Sequence, residues 1–317
     1  MELLQYWWVL LIIVVVAAVV KKNKDDKKDS PPVVTPAPVQ PPAVDTRTRL
    51  LIDTDMGPKG DPDDVQCYIA QASSILQRYN VVGLVSTSVR GHENVPFIEN
   101  LLNQMEGVSS NYTKPPVYAG MMSETKGSPS GTTEGSNFMA EQIRNSSADN
   151  RLEIHIWGQA ATFAQALASV QGNLDKLKYV DVYWVANWNR RTDEDSFKYI
   201  ANYKNHLNLW RDEEAFRGIM RSGDRTKLEA LHKTILASPL GNIYKQYPIP
   251  EAQYNWKAGD LSLFFFSWNK TFRDQVFIAD GGKFKVADGI ESERAVAGNA
   301  FRDEMVRVVT ENVNRWK

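Results

Sequence analysis

The sequence predicts an α/β fold: a mostly parallel open sheet flanked by helices, preceded by an N-terminal transmembrane helix. Three observations carry this. From Arg49 onward, short apolar runs alternate with segments of helical spacing, the pattern of successive βαβ units. Between the first run and the first helical segment lies a loop with five aspartates in twelve residues: Asp53, Asp55, Asp61, Asp63 and Asp64. Open α/β sheets place their ligands in such loops, outside the carboxyl ends of the strands. Ahead of the domain, Leu3 to Val20 make eighteen positions whose only strongly polar member is Gln5, close to the length that spans a bilayer.

The apolar run Leu50–Ile52 is the end of a buried strand. Val65, Tyr68, Ile69, Ala72, Ile75 and Leu76 then recur at helical spacing. Strands are expected over Val81–Thr87, Pro115–Gly120, Leu152–Trp157 and Tyr179–Ala186, and helices over Val95–Met105, Gly135–Arg144 and Phe163–Val170. The Gly/Ser/Thr-rich segment 123–136 reads as a long loop. Beyond Asn187 the pattern loosens: Asn205–Asp212 reads as strand then loop, and Glu213–Arg221 as a short helix. Leu261–Trp268 is a buried element with Asp260 at its mouth, and Arg294–Trp316 a surface helix.

The lysine-rich run Lys21–Lys28 ends the apolar segment, and no basic n-region or small-residue cleavage site marks it as a removed signal peptide. An uncleaved single-pass anchor over residues 1–22 is expected, in contact with a lipid bilayer. The positive-inside rule would put the domain on the cytoplasmic or matrix side, with an exported domain as the alternative. Residues 23–48 form a charged and proline-rich tether, and residues 49–317 the domain, in a chain that could work as a homo-oligomer or within a membrane complex. Charge is nearly balanced, 37 basic against 38 acidic residues, so nucleic acid is not an expected partner. The single cysteine, Cys67, excludes an intrachain disulfide and is read as a packing residue. The four histidines are scattered, which disfavours a transition-metal hydrolase.

Five close carboxylates repel one another and need protons or a counter-charge. A hard divalent ion such as calcium, which takes oxygen ligands in loose geometry, meets that need. One or two of the five could instead cap the following helix.

These residues resemble the nucleoside hydrolase superfamily, which opens with a strand and an Asp-x-Asp-x-Gly-x-Asp-Asp loop. The chain has Asp53-Thr-Asp55-Met-Gly57 and then a longer loop ending Gly60-Asp-Pro-Asp-Asp64. That ending is closer to the bacterial nucleoside-hydrolase-like branch, the cellulose-binding Sde182-type proteins. Gly83–Ser88, Glu134–Ser136, Trp157–Ala166, Asn208–Arg211, Phe216–Gly218 and Lys257–Asp260 also fit, in the right order. The resemblance implies a calcium-dependent hydrolase of an N-glycosidic, nucleoside-like or related glycosidic bond. Asp55 would bind calcium and orient or deprotonate water. Asp64, Asp260 and the carbonyl near Trp157 would be the other ligands. Asp63 and Asn208 would hold the sugar, and Asp53 would brace the loop. His92 stands where family members usually carry a sugar-binding asparagine, and Gly259 where they often have a histidine that assists base departure. These departures leave open a catalytically inactive carbohydrate-binding or scaffold subunit in a membrane assembly.

A haloacid-dehalogenase-like phosphatase is the rival enzyme reading, with Asp53 as nucleophile and Phe277–Gly281 as a later magnesium motif; it leaves Gly60–Asp64 unexplained. An EF-hand lacks its closing glutamate. Trp184, Trp268 and His155 read as core or structural, and Trp188, Trp210 and Trp256 as pocket candidates. Arg190-Arg191 reads as a solvated charge pair.

Overall fold

The computed structural model describes residues 45–57, 62–72, 78–88, 94–109, 112–122, 130–213, 225–247 and 260–287, with 303, 304, 307 and 310. The chain divides into two units, residues 1–45 and 46–317, and the fold is that of the second unit. The expected anchor at 1–22 and the segment Arg294–Trp316, apart from four positions, lie outside the described residues, as do 214–221 of the expected helix Glu213–Arg221. Among the described residues no helix is long and apolar enough to cross a membrane.

The first half runs β1 (Thr48–Thr54), α1 (Pro62–Ala72), β2 (Tyr79–Ser88), α2 (Val95–Val108), β3 (Val117–Met122), α3 (Glu134–Arg144), β4 (Leu152–Ile156) and α4 (Ala161–Ser169). A 3₁₀ stretch (Gln171–Tyr179) leads to β5 (Val180–Val185), α5 (Asn187–Thr192), α6 (Glu194–Ala201) and β6 (Asn208–Asp212). Helices α7 (Arg225–Ala237), α8 (Gly241–Tyr244), α9 (Leu261–Trp268) and α10 (Lys270–Val276) follow, then β7 (Ile278–Ala279) and β8 (Phe284–Ala287).

The eight strands form one sheet in the order β3-β2-β1-β4-β5-β6-β8-β7. All neighbours are parallel except the β7–β8 hairpin at one edge. The chain winds outward from β1 to β3, returns to lay β4 beside β1, and winds outward the other way. β1 and β4 therefore flank a topological switch point, the place where doubly wound sheets open a crevice at their carboxyl ends.

Burial on both faces explains the nearly unbroken apolar runs of the central strands. On one face Leu50, Ile52, Tyr183, Val185 and Trp210 pack with residues of α1, α2 and α9. On the other, Leu51, Ile154, Ile156, Val182 and Trp184 pack with residues of α3 and α4. Local signals fix the helix starts. Thr133 and Ser136 form a capping box on α3, with Ser136 N donating to Thr133 Oγ1 at 3.1 Å and Thr133 N to Ser136 Oγ at 2.8 Å. Arg49 ties β1 to the end of α3 by donating to Gln142 Oε1 (2.8 Å), Ser146 Oγ (3.0 Å) and the Asn150 carbonyl (3.0 Å).

The buried apolar element Leu261–Trp268 is helix α9, apolar all round because the fold covers almost all of it. Phe264 at its centre is fully buried and meets Tyr79, His155 and Trp157 edge-on. Truncating Phe264→Ala is expected to cost about 3–5 kcal/mol, read from urea unfolding monitored by circular dichroism. A cost near zero would mean that α9 does not cover the sheet.

Candidate functional site

The site forms where β1 ends. Asp53 is fully buried, and neither carboxylate oxygen completes a hydrogen bond. Burial pushes its carboxyl well above the ordinary range; the Thr87 hydroxyl opposes this and the neighbouring Asp55 charge adds to it. Thr87 itself shares a hydrogen bond with Thr162, whose Oγ1 also accepts the Met121 amide at 2.8 Å. Asp53 thus lies wholly inside the sheet, beneath the loop it is expected to brace.

Asp55, 6 % exposed, stands at the mouth of the crevice. Its side chain lies against Gly158, just past the end of β4: a Cβ on that glycine would be 3.0 Å from both Asp55 Cγ and Oδ1. The two strand ends are joined directly, since Trp157 N donates to the Asp53 carbonyl at 2.8 Å. Asp64, in the first turn of α1, is drawn back to β1 by Thr54, whose Oγ1 donates to Asp64 Oδ2 at 2.5 Å while accepting the Met56 amide at 3.0 Å. Nothing in the sequence singles out Thr54, because a threonine between two aspartates reads as strand filler.

The expected ligand carbonyl of Trp157 accepts from Asn189 Nδ2 at 2.8 Å. Asn189 lies on α5, braced through Val185 O (2.9 Å) and facing Gln159 Nε2 at 3.5 Å. Asp260, 4 % exposed, is the N-cap residue of α9. Two residues on, Ser262 Oγ donates to Asp212 Oδ2 at 2.9 Å, which ties this end of α9 to the carboxyl end of β6. Asp53, Asp55 and Asp64 therefore gather around one strand end, with Asp260 on the same edge of the sheet. Among the described residues no three carboxylate, imidazole or thiolate side chains close into one metal-holding group. In donor chemistry the set fits a hard cation, being all oxygen and buried, with the Asp53 oxygens still lacking hydrogen bonds.

Other expected residues fall elsewhere. Asn208 opens β6 at the opposite, amino-terminal end of the sheet and donates to Asp181 Oδ1 at 2.9 Å, beside the Arg151–Asp181 ion pair. It pairs in register with Asp181, and Asp181 with Glu153, the partner of Leu50. That row is about 10 Å down the strands from Asp53, so Asn208 does not share the crevice with Asp55. His92, Asp61 and Trp256 lie outside the described residues, and the Asp63 side chain is not described. Trp210 is core, stacked on Tyr183 at 4.9 Å, whereas Trp188 is 46 % exposed. The aspartate of the phosphatase reading's magnesium motif, Asp280, is bonded by Arg211 of β6, three strands across the sheet from β1 and Asp53.

One residue emerges only from the structure. Asn94 occupies the N-cap of α2 yet makes no side-chain capping bond. It is fully buried, and neither its amide nitrogen nor its oxygen has a hydrogen-bond partner. Its side chain lies on Gly57 of the aspartate loop, where a Cβ would stand 2.1 Å from Asn94 Oδ1. In the sequence, an asparagine before Val95-Pro96 signals only a helix cap, and that reading conceals its place beside the crevice.

No protein-family model matches the chain, and no curated protein sequence does. Solved structures do. A nucleoside hydrolase-related hypothetical protein from Saccharophagus degradans, associated with carbohydrate metabolism, aligns with a TM-score of 0.56 at 18 % identity, over 84 % of this chain and 72 % of that one. The domain has a nucleoside hydrolase-like fold. The type III effector protein XopQ, solved with adenosine diphosphate ribose, aligns at 0.58 and 13 % identity over 84 % and 94 % of the two chains. An inosine-uridine preferring nucleoside hydrolase from Bacillus anthracis aligns at 0.52 and 11 % identity over 83 % and 99 %.

In this nucleoside hydrolase-like domain the contact between Gly57 and Asn94 is testable as a double-mutant cycle. Gly57→Ala is expected to cost about 1–3 kcal/mol through overpacking, and adding Asn94→Ala should recover most of that loss in urea unfolding. Strictly additive costs would place the Asn94 side chain away from the loop.

Proposed function

We propose that the chain is a calcium-dependent glycosidase that cleaves an N-glycosidic, nucleoside-like or related glycosidic bond. The observation that supports this most is the seating of Asp55 against Gly158, at the switch point of a nucleoside hydrolase-like sheet. Thr54 draws Asp64 back to the same strand end. Under this reading calcium would be held by Asp55, Asp64, Asp260 and the Trp157 carbonyl, and when bound it supplies charge that lowers the pKa of a coordinated water. Asp55 would orient a water and accept its proton as it attacks the sugar C1. The oxocarbenium-like sugar formed in such a cleavage is stabilised by nearby carboxylates. Asp63 and His92 would contact the sugar hydroxyls. A nucleoside is one candidate substrate, consistent with the nucleoside hydrolases and the ADP-ribose complex among the structural neighbours. In the cell, residues 1–22 would anchor the domain in a membrane through the tether 23–48.

A second reading keeps the ligand and drops the chemistry: a carbohydrate-binding or scaffold subunit of a membrane assembly. Two observations favour it. The Trp157 carbonyl is already engaged by Asn189, and Asn208 stands at the far end of the sheet.

Calorimetric titration of the full-length chain in detergent with calcium, followed by assay of nucleosides and other glycosides for free sugar, separates the two. The enzyme reading predicts saturable calcium binding that Asp64→Ala abolishes. It also predicts sugar release that Asp55→Asn lowers by roughly 10²–10⁴-fold, the range for loss of a general base. Calcium binding without sugar release would favour the binding subunit. A folded chain that binds no calcium would sink the hydrolase mechanism.

A further inference from the structure

Three strands from β1, at the level of Asp53, the residues Asp53, Ile156, Trp184 and Arg211 pair in register across the sheet and share one face. Arg211 there lines an open cleft of about 460 Å³, together with Arg190, Lys204, Phe197, Glu213 and Asp280. The charges do not cancel: three cations face two carboxylates, leaving a net charge of +1.

Arg190-Arg191 is therefore not simply a solvated pair. Glu213 Oε1 accepts from both Arg190 Nε (2.8 Å) and Arg211 Nη1 (2.6 Å), and Arg211 Nη2 bonds Asp280. Both guanidiniums also lie over the Phe197 ring, with Cζ 5.3 Å (Arg190) and 4.5 Å (Arg211) from its centroid. This network pins β6 against α5 and α6, but it does not use all of its donors. Arg211 is 6 % exposed, and its Nε is buried with no hydrogen-bond partner. Among the described residues Arg190 engages only its Nε, and Lys204 Nζ makes no hydrogen bond or ion pair. Guanidiniums held in place with donors to spare, beside a lysine, match the geometry and charge of phosphoryl oxygens. The cleft is large enough for more than a bare ion, within the range of small-ligand pockets.

We infer that this cleft binds a small phosphate-bearing molecule, with Arg190 and Lys204 gripping phosphoryl oxygens beside the fixed Arg211. The site is separate from the aspartate crevice. Trp184 lies between them, donating Nε1–H to the Gly158 carbonyl at 3.0 Å and meeting the Phe197 ring at 6.0 Å. The inference does not rest on the glycosidase reading.

Isothermal titration of the full-length chain in detergent, with inorganic pyrophosphate and inorganic phosphate at low fixed ionic strength, tests it; acetate serves as the carboxylate control. Saturable pyrophosphate binding is expected, weakened about tenfold or more in each of Arg190→Ala and Lys204→Ala. Both variants should keep their fold, since Arg211 still holds Glu213 and Lys204 is exposed; circular dichroism checks this. Absence of saturable binding to the folded wild type would overturn the inference. So would binding undiminished in both variants, or acetate binding as tightly as pyrophosphate.

Discussion

The amide of Trp157 donates to the carbonyl of Asp53, and that 2.8 Å bond is where β4 closes onto β1 at the carboxyl end of the sheet. The candidate site is built outward from it. Because β4 returns beside β1, Gly158 arrives opposite Asp55 with no side chain to displace it. On the other side, α1 leaves the same strand end, and Thr54 holds Asp64 against it. The parallel pairing of β4 with β1 brings Gly158 and Asp55 to one strand end.

Gathering carboxylates at a buried strand end works against stability. A buried charge without a partner costs several kcal/mol unless it takes up a proton or meets a counter-charge. Burial pushes the Asp53 carboxyl up from the ordinary range, in the direction of the first route. The rest of the domain offsets such costs with apolar cores on both sheet faces, one of them closed by the phenylalanines of α9. Polar strain of this kind concentrates where a chain does chemistry or binds something, because packing alone would select an apolar residue there. Asn94 belongs to the same category: an amide placed in the interior, turned from its capping role toward the aspartate loop.

Much of this was legible in the sequence, and the reasons differ by element. The central strands announce themselves because burial on both faces demands apolar runs, and the aspartate loop because five carboxylates have no bland explanation. The helical state of Leu261–Trp268 was hidden by the same burial, since an element apolar all round shows no period. The strand β8 is four residues long, carries Lys285 at its centre and lies beside β6 only through tertiary pairing. Asn208 matched a motif in order along the chain, but order does not say at which end of a strand a residue sits; its register with Asp181 does. The Arg190 network was invisible for a related reason: Glu213, Arg211 and Asp280 meet it only after the sheet is assembled.

The central claim is that Asp55 and Asp64 belong to one cation-dependent site at the β1–β4 switch point. The most direct measurement is anomalous diffraction from crystals of the chain soaked in a lanthanide that substitutes for calcium. The account predicts one strong peak about 2.3–2.6 Å from carboxylate oxygens of both Asp55 and Asp64, beside Gly158. Well-ordered crystals with both carboxylates visible and no peak between them would contradict it.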